Sequence, residues 1–398
     1  MLQKIIAASL ILIPVICWPG WSDGIRAPKE AVGVVSLMAI VIVSLLTYHL
    51  KPFKNKWLLI LMGWCFLTTL VGINIPVYLE KGILLQMPPL MIAAKSLFYV
   101  TLSVMSIVCL SSVSLDLGKL SKIVNFTVIG LCVYGILQAL GLDEIFKVAN
   151  GRGWIAESVW TGLNTQDVGA FSHRVVATVG NPAILSMFLA ICVPFSLYRI
   201  KEEGKLSLIL ALLIIGIAQS FTGVICALIS SLVYFFFTNR KMIVVIVAII
   251  LLVGAVSYRQ LPSFINPTGR LDVIKESWQI LDRKPLTGMG LGSFENMVGG
   301  NPDVVAKLKN EAWKEAHNEY WQTWFETGLI GLILLLMAIG STIRRFMKKI
   351  TLETVVLMSS FAAVMVASAG YFTFRVSPVA YYVVIIYGLL ENKIGEVT

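Results

Sequence analysis

The residue types best suited to chemistry cluster between positions 267 and 328. His317 stands there beside Asn318, and a neutral imidazole, whose ordinary pKa is about 6.5, can take a proton from a hydroxyl. Upstream, Pro267-Thr268-Gly269 leads into a helical pattern that runs from Arg270 past Trp278 and is stopped by Pro285. Arg270, Ile274 and Trp278 are four apart and share a face. Arg270 falls in the first turn, where free N–H groups and the helix dipole favour an anion. Its guanidinium can hold a phosphate through two parallel hydrogen bonds; an arginine solvated among lipid headgroups is the other reading. A second arginine, Arg174, follows His173 and precedes Gly180-Asn181-Pro182. Two arginines and a histidine make an anion site with a base beside it. His317 is the assigned base, because it is the one histidine at a loop–helix junction facing the loop that carries Arg270. His173 is the substitute.

Helical spacing places His317, Tyr320 or Trp321, and Trp324 on one face. Flat indole and phenol rings with a polar handle suit a sugar, and with Trp278 they form a candidate carbohydrate surface. The competing reading is the aromatic belt that membrane proteins carry at the lipid–water interface. Glu326 lies about nine residues into an apolar run, where an ionisable group points to function. Lys95, also inside such a run, is either snorkelling or paired, and His49 stands alone at the edge of another. Gly288-Met-Gly290-Leu-Gly292 has no βαβ context and no following Walker lysine, so it reads as a tight turn rather than a nucleotide loop. Asn301-Pro302-Asp303 predicts a helix start, with the helix continuing through Trp313 into the next apolar run. The polar loops hold no Asp-x-Asp pair or His/Asp cluster, so neither a metal nor a cofactor is expected.

The elements that must position these residues are membrane helices. Of 398 residues, 57% are hydrophobic and only 14% charged, against about 25% charged in an average soluble protein. Twelve apolar runs stand near 4–20, 31–50, 57–76, 90–113, 122–141, 181–199, 205–219, 221–238, 242–257, 317–340, 350–370 and 376–391. A bilayer core about 30 Å thick takes roughly 20 helical residues to cross. The pattern excludes a soluble enzyme, a disulfide scaffold, a disordered chain and a single-span receptor. A β-barrel is excluded too, because the runs are continuous rather than alternating. The first run is followed by no small-x-small cleavage site and reads as an uncleaved helix. All six cysteines lie inside apolar runs, as small buried hydrophobes do.

Charge orients the chain. Alternate connections carry Lys51, Lys54 and Lys56; Lys119 and Lys122; Arg199, Lys201 and Lys205; Arg240 and Lys241; and Arg344, Arg345, Lys348 and Lys349. The positive-inside rule puts these on the cytoplasmic side. The series stays in phase only if residues 205–238 form two spans turning at Gln219-Ser220-Phe221-Thr222-Gly223. Both termini are then cytoplasmic, and the long connections 142–180 and 258–316 both face outward. The net charge of +10 is accounted for by orientation and does not indicate nucleic acid. The expected fold is one all-α polytopic membrane domain of about twelve helices, with two long outer loops and short helices in the second.

Four pieces taken together resemble the O-antigen ligase and polymerase superfamily. They are Ala316-His317-Asn318 followed by Glu326, Gly328 and Gly331; Gly269-Arg270 followed by Trp278; Pro285-Leu-Thr-Gly288-Met-Gly290-Leu-Gly292 followed by Phe294; and Arg174 upstream of Gly180-Asn181-Pro182. The resemblance covers residues 165–335 by motif and the whole chain by topology. At the 219–223 turn the family often has an arginine where this chain has Phe221, and Arg375 at the last outer turn is a candidate to take over that role.

The resemblance implies a metal-independent glycosyltransferase of the bacterial inner membrane, acting on the periplasmic face. Its donor would be an undecaprenyl-diphosphate-linked glycan, with arginines on the diphosphate and His317 as base. As a ligase it would transfer the finished glycan to lipid A-core or another acceptor. As a polymerase it would transfer the growing glycan to a new repeat unit. A twelve-span transporter of a small anion or sugar is the reading from a different class. Against it, the polar residues gather at one face rather than at midplane, and no matched pair of broken helices is visible.

Overall fold

The computed structural model describes residues 1–16, 26–72, 89–140, 142, 175–245, 247–248, 251, 270–308, 313–371 and 373–395. Every regular element among them is helical. They are α1 (Leu2–Val15), α2 (Arg26–Thr47), α3 (Lys56–Gly72), α4 (Pro89–Ser111), α5 (Leu117–Ala139), α6 (Pro182–Tyr198), α7 (Gly204–Ile217) and α8 (Phe221–Thr238). After them come α9 (Arg270–Leu281), α10 (Pro302–Lys307), α11 (Glu319–Phe346), α12 (Leu352–Gly370) and α13 (Val379–Gly395). Six stretches are long and apolar enough to cross a membrane: Ala27–Thr47, Met91–Ser111, Leu117–Ala139, Phe221–Thr238, Glu319–Phe346 and Leu352–Gly370. Leu2–Val15, Lys56–Leu70, Pro182–Tyr198 and Gly204–Ile217 are shorter apolar helices. Most of the run predicted at 242–257 lies outside the described residues, as does most of the first long loop.

The centre of the bundle is α6. It is apolar on every side and almost wholly buried, as expected of a helix ringed by others. It packs against α5, α7, α8 and α12. Lipid tails are as apolar as leucine, so packing and hydrogen bonds, rather than water exclusion, hold such helices together. Small residues accordingly line the α6–α8 contact, where the Ser230 hydroxyl donates to Ala190 O at 3.3 Å. Outward-facing side chains such as Leu46, 82% exposed, and Val35, 66% exposed, are apolar, as a lipid-facing surface requires.

The 205–238 run does break where expected. Gln219 takes φ +50°, and the Ser220 side chain caps α8 by accepting from Gly223 N. The two halves pack on different partners, α7 on α5 and α6, α8 on α6 and α12. The Gly180-Asn181-Pro182 motif proves to be a helix start. Asn181 Oδ1 accepts from Ala183 N (2.9 Å) and Ile184 N (3.2 Å), with Pro182 in the first turn.

One expectation fails. The helix predicted from Asn301 into the next span stops at Lys307, and residues 313–318 are not helical. Asn318 starts a new helix by accepting from Trp321 N at 2.9 Å, because its side chain satisfies an N–H that the helix cannot. At the other end of α11, Arg345 pairs with buried Glu391 through both guanidinium NH2 groups (2.6 and 2.7 Å). Thr342 donates to the same carboxylate (2.7 Å), and Asn55 donates to Thr342 and Tyr387. This cluster ties α3, α11 and α13 together.

Candidate active site and the break in α11

Gly328 interrupts α11 with φ +72° and ψ 178°. The carbonyls of Phe325 and Glu326, which would accept from Leu329 and Ile330 in an unbroken helix, accept instead from Met289 N (2.8 Å) and Gly290 N (2.9 Å). Leu329 N and Ile330 N donate to Pro285 O (2.9 Å) and Leu286 O (3.3 Å). The 285–290 strip thus supplies four of the hydrogen bonds that the helix loses, and the Trp64 indole donates to Thr327 O at 2.7 Å. The backbones approach so closely that only glycine fits. A Cβ on Gly288 would lie 2.4 Å from Gly328 N, and one on Gly328 would lie 2.1 Å from Leu286 O. Both residues also need positive φ. The glycine-rich stretch is therefore a turn, as expected, and its task is to clamp the broken helix. The segment between α9 and α11 has its own small core of Val273, Leu281, Phe294, Val298 and Phe325, which makes it a folded platform.

His317 sits just before this helix with φ +51°. It is not on the face of Trp324, as expected from helical spacing, because the helix begins only after Asn318. Its ring packs edge-on against Trp313 (5.1 Å) and Tyr371 (5.3 Å). Burial, and then the neighbouring Arg270 charge, push its pKa down from 6.5 to about 3. A half-buried imidazole beside a guanidinium is held neutral. Arg270, at the start of α9 (Arg270–Leu281), donates from Nη1 to Gly370 O at 3.1 Å. Its own pKa is lowered by burial, with Tyr371 acting in the opposite sense. Asn318 donates to Ala369 O (2.9 Å), and the Tyr320 hydroxyl donates to Met365 O (2.8 Å). The end of α12 therefore gathers Arg270, His317, Asn318 and Tyr320 around residues 365–371.

The expected tryptophans do come together. Trp278, Trp321 and Trp324 form a mutual cluster with ring centroids 5.4–5.9 Å apart. The Trp321 and Trp324 indole N–H groups donate to Ser277 Oγ (2.9 Å) and Pro285 O (3.1 Å). Trp278 keeps 40% of its surface exposed and offers a ring face.

Glu326 and Arg375 belong to a different group. Arg375 donates to Glu326 Oε2 (3.0 Å) and Glu319 Oε1 (3.2 Å), with Glu315 at 3.8 Å. Burial works against the Arg375 charge, but the three carboxylates more than offset it and raise its pKa. Gly292 N also donates to Glu326 Oε2 (3.0 Å), and Gln322 bridges Glu315 and Glu326. Among the described residues, no three His, Cys, Asp or Glu side chains are disposed to hold a metal; the glutamates converge on a guanidinium instead. His173 and Arg174 lie outside the described residues.

Sequence reasoning passed over Glu319 and Gln322, although Glu319, Gln322 and Glu326 form a polar stripe at helical spacing that was there to be read. Tyr371 gave no local signal, since only the packing of α12 on α11 brings it to His317. Lys95 sits over the Tyr99 ring at 5.8 Å.

The fold and site together define a multi-span, all-helical membrane protein with a folded polar platform at one end. Residues 206–336 match the family model described as O-antigen ligase, which supports membership of the O-antigen ligase/polymerase family. The matched residues include Arg270, His317, Glu326 and the tryptophan cluster. No curated protein matches the chain.

Proposed function

We propose that the protein is a metal-independent glycosyltransferase. It moves a glycan from undecaprenyl diphosphate to an acceptor hydroxyl, with lipid A-core the favoured acceptor, at the periplasmic face of the bacterial inner membrane. In this reading the chain crosses twelve times and both termini are cytoplasmic. The observation that carries it is a histidine held neutral beside an arginine, at the junction of a folded platform with a spanning helix. The acceptor oxygen forms a bond to the anomeric carbon as the bond from that carbon to the diphosphate oxygen breaks. The electron pair leaves with the lipid diphosphate, and the hydroxyl proton passes to His317. Arg270 and Arg174 stabilise the charge developing on the leaving group. A bound diphosphate also offsets the Arg270 charge, which raises the basicity of His317 when the donor arrives. Trp278 presents a ring face to the glycan.

The test is transfer of a lipid-linked glycan by purified full-length protein, with lipid A-core and a second lipid-linked repeat unit offered as alternative acceptors. His317→Ala should fold, insert and be inactive. Arg270→Lys and Arg174→Lys should lose roughly two orders of magnitude in rate, because an ammonium cannot reproduce the two-point contact. Near-normal transfer by His317→Ala would remove the base assignment. Elongation of the repeat unit in place of transfer to lipid A-core would identify a polymerase.

A further inference from the structure

A second site lies beside the first. A cavity of about 690 Å³ opens among α2, α3, α4, α11 and α13, and its size is that of a small-molecule site. Neither His317 nor Arg270 lines it. One end is apolar, built from residues such as Leu58, Met62, Val100 and Phe361. The other holds the Arg375–glutamate cluster, and five glutamates of the lining outnumber its three cations.

Two further features indicate what it takes. Glu319 is only 3% exposed and spends Oε1 on Arg375, yet its Oε2 has no hydrogen-bond partner among the described residues. Ser377 Oγ, in the same lining, is buried and likewise unsatisfied. An orphaned carboxylate oxygen in an apolar setting costs free energy until a donor reaches it. A hydroxyl supplies that donor. A fully ionised phosphate or diphosphate has no proton to give, and here its charge would meet an excess of carboxylates with the central guanidinium already taken.

We propose that this cavity binds a neutral, hydroxyl-bearing headgroup carried on an apolar chain, with the headgroup at Glu319 and Ser377 and the chain between α3, α4 and α13. That is the chemistry of a glycolipid. Its role as the acceptor side of the transfer rests on the function proposed above, whereas the binding itself does not. Donor and acceptor would then approach the start of α11 from two sides, the anion toward Arg270 and the neutral sugar toward Glu319.

The experiment measures binding without turnover. Full-length protein in lipid nanodiscs is photolabelled with a diazirine-bearing alkyl β-glucoside, and the labelled peptides are mapped in competition with octyl glucoside or octyl phosphate. Labelling is expected on α3, α4 and α13, displaced by octyl glucoside and at least tenfold less sensitive to octyl phosphate. Ser103→Phe, which places a ring in the cavity from α4, should abolish the displaceable label, and Glu319→Gln should weaken octyl glucoside competition about tenfold. Arg270→Gln should leave labelling unchanged. Should Glu319→Gln fail to fold, the wild-type competition and Ser103→Phe decide the matter. Equal displacement by octyl phosphate, or label spread over lipid-facing helices that no competitor removes, would overturn the proposal. Transfer activity enters none of these readouts, so an inactive His317→Ala that still binds the glucoside, or an active wild type that does not, separates the two proposals.

Discussion

The chain has only three histidines, His49, His173 and His317, so the electrostatic state of the candidate base can be measured directly. With ring-labelled histidine and His49→Gln and His173→Gln in place, a single imidazole remains to be followed by NMR in micelles. Burial, and secondarily Arg270, lower its pKa from 6.5 to about 3. At about 1.4 kcal/mol per pH unit, this favours the neutral ring by roughly 5 kcal/mol. The ring is therefore expected not to titrate between pH 8 and 5. Arg270→Gln removes the lesser cause, so the pKa should rise yet stay below 6.5. Inorganic diphosphate bound at Arg270 should raise it in the wild type for the same reason. The sign of the stability linkage follows. The unfolded histidine binds its proton at 6.5 and the folded one only near 3. The unfolded chain therefore holds more protons between those values, and stability is full above 6.5 and falls as pH drops toward 3. His317→Ala should flatten that part of the profile. A wild-type ring titrating near 6.5, or one that Arg270→Gln leaves unmoved, would refute this account of how the platform tunes the His317 imidazole.

Two further predictions concern the scaffold. Gly328→Ala places a Cβ 2.1 Å from Leu286 O at φ +72°, so the strip or the helix must shift; a loss of several kcal/mol and a lower Tm in detergent are expected. Gly340→Ala in the same helix meets nothing within 4 Å and should leave Tm unchanged or slightly raised. Glu391→Ala leaves Arg345 without its buried partner, where breaking such a pair costs about 3–5 kcal/mol. Lys119→Ala, which breaks only an exposed pair with Asp116, should shift Tm far less; equal effects would show that the α3–α11–α13 cluster is not a principal tie.

Much of this was legible because membrane helices follow length and hydropathy, which are local. The break within 219–223, the span starting near 181 and the helix beginning near Arg270 follow from residue type alone. The continuation of α10 into α11 was misread because Lys307 to Trp313 carries a helical pattern, while the cap at Asn318 outcompetes it. The site was half legible. His317, Arg270 and the tryptophans were found as residue types at telling positions, but which of them meet depends on α12, whose Gly370 and Tyr371 lie far along the chain. Glu326 reads from the sequence only as an ionisable group in an apolar run and Arg375 as a stand-in for the arginine missing at the 219–223 turn; that the two pair with each other cannot be seen without the packing of the 371–378 turn onto α11.

The separation of charge at the start of α11 bears on mechanism. The transfer proposed above, with an anionic lipid diphosphate leaving and a neutral hydroxyl attacking, gains if the two sides of the site differ in sign. Arg270, half-buried with its guanidinium on a carbonyl rather than a carboxylate, remains a net cation able to take up charge as it develops. Arg375, partly buried and ringed by three glutamates, is neutralised in advance and serves to hold those carboxylates in place. Two arginines near the C-terminal end of α12, Arg270 on Gly370 O and Arg375 in the turn that follows, thus do opposite work. The difference is set by their neighbours: backbone oxygens in one case, and in the other Glu319 and Glu326, which the first two turns of α11 bring onto a single face. Gly328 closes the arrangement, because the break it permits lets the 285–290 strip hold that short piece of α11 and lets Gly292 N reach Glu326.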